Sequence, residues 1–161
     1  MAHLEWNESV GEPLDALIER FEELGAEPDD TLFWFKSFYF FRGYIRVRQV
    51  EAARRGALDR SEDDALRQLR RSIRDLERAA DDHPSFVAHA YVLRGYYNIY
   101  SGDLAAAGMM ASEADRCAVQ TENRWVHFEA ARLRGLLTDL EQEHDGPNWN
   151  ARQALEIAVE E

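Results

Sequence analysis

An arginine and a histidine bracket four residues in Arg78-Ala79-Ala80-Asp81-Asp82-His83. A histidine can move a proton at a ribose hydroxyl while an arginine stabilises the phosphate, so this pair suits metal-free RNA cleavage. Against that chemistry, two carboxylates lie between the pair and His83 adjoins Pro84 at a helix end. There, cations are equally expected because they complement the helix dipole. His127 and Glu129 are two residues apart and cannot share a helical face as zinc-binding His-Glu-x-x-His motifs require. No phosphate-cradling glycine loop or serine nucleophile elbow is present. Acidic pairs such as Glu22-Glu23, Asp63-Asp64 and Glu160-Glu161 read as solvated faces or helix ends. The expectation is a non-catalytic chain with no metal and no cofactor.

A second set of spacings points to recognition. Phe41-Arg42-Gly43-Tyr44, Leu93-Arg94-Gly95-Tyr96 and Leu133-Arg134-Gly135-Leu136 repeat one signature, each inside a helix-patterned stretch. A mid-helix glycine costs about 1 kcal/mol against alanine, so its threefold use predicts close helix packing at those points. The three arginines form a potential ladder across neighbouring helices. Such a ladder would either bind a partner's carboxylates in bidentate fashion or pair with acidic side chains on an adjacent helix of the same chain. The acidic composition favours the internal pairing.

The elements that must position these residues follow from periodicity. The first helix is predicted over Pro13 to Leu24, with Leu14, Leu17, Ile18 and Phe21 on one stripe and Gly25 as its stop. The second opens after Asp29 and Asp30, either a suitable cap, and runs to about Arg55. It is crowded with aromatics. Phe33, Trp34, Phe35, Phe38, Tyr39, Phe40 and Phe41 surround most of it, the pattern of a helix buried in its own domain. Ser61 and Asp64 make a capping-box-like start for a third helix with Leu66, Leu69, Ile73, Leu76 and Ala80, and Pro84 closes that segment. A fourth is predicted from Ser85 to Tyr100. After the Ser101-Gly102-Asp103 turn comes a fifth with the small stripe Leu104, Ala107, Ala111, Ala114 and Ala118. The sixth begins near Asn123 and carries Val126, Ala130, Leu133, Leu137 and Leu140, and a seventh, Trp149 to Val159, would cover the exposed end.

At 161 residues, the chain is sized for one domain that buries about two thirds of its unfolded surface. Single Cys117 cannot pair within the chain and lies in a small-residue stripe, as a buried core residue would. The start, Met1-Ala2-His3-Leu4-Glu5, lacks the basic-then-apolar progression of a secretory signal, so a reduced, cytoplasmic setting is expected. The most apolar run, Leu32 to Ile45, is interrupted by Lys36 and Arg42 and is too short for a membrane span. With 31 acidic against 19 basic residues, the formal charge of −12 disfavours a nucleic-acid partner. Lys36 is the only lysine. That arginine bias fits either a GC-rich genome or a salt-adapted surface.

The marker glycines lie 52 and then 40 residues apart and occupy alternate helices, as stacked hairpins with one inner and one outer helix each would produce. The best-preserved unit has Tyr91 four residues before Gly95, then Gly102, Ala107 and Ala114 seven, twelve and nineteen after it. This spacing resembles the tetratricopeptide repeat. Tyr39, Gly43, Ala79 and Pro84 extend the resemblance backwards; around Gly135 it fades, with Ala131 in place of the aromatic and Gln142 in place of the turn glycine.

The resemblance implies an all-α fold of about seven helices, antiparallel hairpins stacked as a short α-solenoid in a single domain. Residues 1–28 would hold the N-terminal helix, 29–143 the repeat core and 148–161 a capping helix. It also implies a concave groove along the inner helices that binds a peptide or protein partner. By offset from the glycines, the groove residues are Phe40, Tyr44, Val47 and Arg48 on the second helix, with His89, Val92, Tyr96, Ile99 and Tyr100 on the fourth. Arg42 and Arg94 join them if the ladder faces a partner. A homodimer closing the apolar end is the alternative. The Arg78–His83 spacing in turn resembles the Arg-x4-6-His pair of all-helical HEPN-type nucleases, which implies the ribonuclease chemistry described above.

Overall fold

Local capping signals set the ends of several helices in the computed structural model, which describes residues 12–25, 27–30, 32–80 and 83–145. Those residues form six α-helices and no strand: α1 (Glu12–Glu22), α2 (Phe33–Arg54), α3 (Glu62–Ala80), α4 (Pro84–Tyr100), α5 (Leu104–Thr121) and α6 (Arg124–Asp145). Ser61 Oγ accepts from the Asp64 amide at 3.2 Å, Asp103 Oδ1 from Ala106 at 3.0 Å and Asn123 Oδ1 from Val126 at 3.1 Å. Each satisfies an amide the first helical turn leaves unpaired. Pro84 does not close α3; it takes the first turn of α4, where its missing N–H costs nothing. The predicted seventh helix lies outside the described residues.

Two starts differ from expectation. Neither Asp29 nor Asp30 caps α2, whose N-cap is Leu32 without a side-chain hydrogen bond. The Asp29 carboxylate is drawn away to Arg78, 2.6 Å distant. In α1 only Ile18 of the predicted stripe is fully buried, while Leu17 is 59% exposed.

α2 packs on α3 and α4 on α5, α4 also packs on α3, α2 and α6, and α6 on α5. The core runs through these contacts: Leu69, Ile73 and Leu76 from α3, Val92, Leu93 and Tyr96 from α4, Ala107, Ala111, Ala114 and Ala118 from α5, and Val126, Ala130, Leu133 and Leu137 from α6. Cys117 is buried among them. The marker glycines explain how the α2, α4 and α6 backbones come close. A Cβ on Gly43 would stand 2.2 Å from Leu93 Cδ1, and one on Gly95 would stand 2.7 Å from Leu133 Cδ1. Each motif leucine therefore seats on the glycine of the preceding motif. Gly135 meets no described atom within 4 Å. Among the described residues no helix is long and apolar enough to cross a membrane.

Candidate functional site

The side chains that α2 and α4 carry between them do not line an open trough, because α6 reaches across to α2. Trp125 stacks on Tyr44 with ring centroids 5.1 Å apart, and its ring also lies 5.6 Å from Phe40 and from Phe41. Further along, Arg132 of α6 reaches Glu51 of α2 at 3.2 Å, and Glu51 also accepts from the Tyr100 hydroxyl at 2.9 Å. Tyr96 donates to Glu129 Oε2 at 2.5 Å. Burial, with the Glu129 carboxylate alongside, pushes the Tyr96 hydroxyl well above its ordinary range, so it remains a donor. Burial and Glu51 do the same for Tyr100.

Under Trp125 sits a histidine with no counter-charge. His89 stacks face to face on Phe40 at 4.3 Å, and burial lowers its pKa to about 4, leaving a neutral ring. Its Nδ1 lies 3.0 Å from the Tyr44 hydroxyl and its Nε2 lies 3.4 Å from Asn123 Nδ2. Because Asn123 Oδ1 caps α6, its amide turns NH2 towards His89 Nε2. The tautomer that fits both neighbours carries its proton on Nδ1 and donates to Tyr44.

The structure thus separates the nine residues expected at a binding face. Phe40, Tyr44, His89, Val92, Tyr96 and Arg42 are buried, Val92 and Tyr96 completely. Arg48, Arg94 and Tyr100 keep solvent contact. Val47 and Ile99, expected beside them, are buried too. The ladder arginines each pair with a carboxylate on another helix: Arg42 with Asp75 at 2.6 Å and Glu22 at 2.9 Å, Arg94 with Glu77, and Arg134 with Asp115 at 3.0 Å. Arg78 is engaged by Asp29 and Glu27, the opposite charge to a phosphate, and exposed His83 rests against Phe33 and Phe86. Among the described residues no cluster of histidine, cysteine and carboxylate side chains could hold a metal.

What remains accessible is an aromatic rim at the α2 and α6 starts. Trp34 is 81% exposed, Phe128 64% and Phe41 41%, with Leu32, Phe33 and Phe35 beside them. Ring contacts link Trp34 to Phe33, Phe33 to Phe86, Phe86 to Phe40, and Phe40 through Phe41 to Trp125. Phe128 follows Trp125 by three residues and shares its side of α6. Trp125 and Phe128 lie outside the groove expected from the glycine offsets. Their signal was available: both fall off the Val126, Ala130, Leu133 stripe that packs the helix, and a large aromatic off the buried stripe must face solvent or a partner. Comparison with known proteins returns no matching family model, no matching curated protein and no matching solved structure.

Proposed function

We propose that this chain is a non-catalytic protein-interaction module, a short tetratricopeptide-like stack of helical hairpins that binds a peptide or protein partner through the aromatic rim of its inner helices. The observation that carries the reading is the rim itself. Trp34, Phe41, Phe33 and Phe35 of α2 and Phe128 of α6 are exposed, while Tyr39, Phe40, Tyr44, Phe86 and Tyr96 are buried. Large rigid aromatics are the usual anchors of a protein contact. The reading of a stack is supported by the leucine-on-glycine seating between α2, α4 and α6, and by α4 packing on both α2 and α6. A cytoplasmic setting goes with this reading and rests on the lone, unpaired cysteine.

The partner segment supplies aliphatic or aromatic side chains to the rim and is not a nucleic acid, given the chain's acidity. The test compares quantitative pull-downs of the wild type, Trp34→Ala/Phe128→Ala and, as an off-rim control, Met109→Ala. Partner recovery should fall about tenfold or more for the double variant and stay level for the control. Equal recovery from all three would move the contact elsewhere. The four consecutive exposed residues Leu32 to Phe35 favour one second reading, a homodimer closed over the same rim. Light scattering at increasing concentration separates the two, since a monomer at every concentration removes the dimer.

A further inference from the structure

The seat of α1 is built differently from the other helix contacts. α1 buries Ile18 and stacks Phe21 on Phe38 at 3.6 Å, while Leu17 and Leu24 are 59% and 75% exposed. Around this thin apolar contact, carboxylates of the N-terminal segment meet arginines of α2, α3 and the loop between them. Glu22 lies 2.9 Å from Arg42 and 3.8 Å from Arg71, Asp15 pairs with Arg46 and with Arg60 at 2.9 Å, and Asp29 reaches Arg78 at 2.6 Å. A chain of formal charge −12 has gathered five arginines on one seam. Two cavities of about 210 and 230 Å³ flank the contact, and Arg42 and Arg71 line both. Arg42 is 3% exposed, and its Nε has no hydrogen-bond partner among the described residues.

The place α1 takes is a recurring one. Arg94 pairs with Glu77 on the helix before its own, and Arg134 with Asp115 on the helix before its own; Arg42 pairs with Glu22 of α1 in the same sense. α3 and α5 hold that position while also packed on α2 and on α4. Among the described residues α1 holds it through Ile18, Phe21 and the carboxylates of Asp15 and Glu22.

We infer that the α2–α3 arginine seam is a docking site for an acidic amphipathic helix of a partner protein, and that α1 is its resident occupant, displaced when the partner binds. The helix that fits carries two carboxylates seven residues apart with an aliphatic and an aromatic side chain between them, as Asp15, Ile18, Phe21 and Glu22 do. Selectivity follows from charge. A neutral helix would leave Arg42 with Asp75 alone and would forgo the pairs to Arg46, Arg60 and Arg71, and a basic helix would add repulsion from all of them. The seam shares no residue with the aromatic rim and stands whether or not that rim binds a partner.

The experiment uses the full-length chain and a fluorescein-labelled peptide of residues 12–30, followed by anisotropy. In the wild type, α1 competes from the same chain at high effective concentration, so the peptide binds weakly. Asp15→Asn/Glu22→Gln should raise hydrogen exchange across 12–22 and tighten peptide binding about tenfold or more. Raising NaCl from about 50 to about 500 mM should reverse much of that gain. Adding Arg60→Gln/Arg71→Gln to the loosened chain should remove it, and a peptide bearing the two carboxylate substitutions should not bind. The inference fails if exchange in α1 is unchanged, because these pairs then do not seat it. It fails equally if the loosened chain binds the native peptide no better than wild type, binds the neutralised peptide as well, or takes up a short RNA in the peptide's place.

Discussion

The α1 seam and the α4–α5–α6 stack join helices by opposite means. At the seam, long flexible side chains meet as ion pairs over one buried isoleucine, with cavities on either side. In the stack, Leu133 is fully buried against Gly95, and alanines at 107, 111, 114 and 118 let α5 approach. Close-packed apolar contacts gain from each buried methylene and lose by each cavity, whereas partly buried ion pairs return little beyond their own desolvation and ordering. Rigidity therefore belongs to the stack and exchangeability to the seam.

The sharpest way to break this contrast is to remove one side chain from each region. Leu133→Ala should cost about 2–5 kcal/mol of unfolding free energy, while Glu22→Gln, whose side chain is 37% exposed, should cost no more than about 1 kcal/mol. Denaturant titration of both variants checks the order; comparable losses would remove the distinction.

Acid separates the regions by pH window. His89 has a folded pKa of about 4 against an ordinary value of 6.5, so between those values the unfolded chain binds a proton that the folded chain does not. The His89 contribution to stability should consequently fall as pH drops from 6.5 to 4, by about 3 kcal/mol in all, and level off below. At the seam, burial alone would raise the Asp15 pKa, but hydrogen bonds from Arg46, Gln49 and Arg60 outweigh it and hold the carboxyl below its usual value. Its contribution is intact above about pH 4 and is lost only as pH falls through the lowered value. Denaturation midpoints at a series of pH values should show His89→Gln flattening the first window and leaving the second in place.

The smallest effect is a change of sign within the glycine set. Gly43→Ala puts a methyl into Leu93 and should destabilise by about 1–3 kcal/mol. Gly135→Ala meets no described atom and should stabilise α6 by up to about 1 kcal/mol through helix propensity. Thermal melts of the pair test whether glycine is required only where a leucine sits on it.

Local chemistry was legible in the residues. The cap at Ser61, the turn through Asp103, the helix start near Asn123, the apolar stripes of α3, α5 and α6, and the burial of Cys117 all depend on neighbours a turn or two away. Where a residue had a distant competitor, reading failed. Asp29 was expected to cap α2 and instead pairs with Arg78, 49 positions on. Leu17 lies on the stripe of α1 yet is exposed, because α1 meets the other helices through Ile18 and Phe21. The expected groove shows the same limit: Tyr44, His89 and Tyr96 carry the right offsets, but Trp125 and Glu129 come in from α6 and cover them.

Spacing and side-chain type alone determined that this chain is helical, roughly where each helix runs, and that three arginine–glycine motifs mark helices meant to lie close. Only the folded arrangement decided which aromatics became interior and which formed a rim, and which carboxylate each arginine took. Helix formation is governed by contacts within one or two turns, while burial depends on how far one helix leans over another, a distance that no short-range pattern encodes.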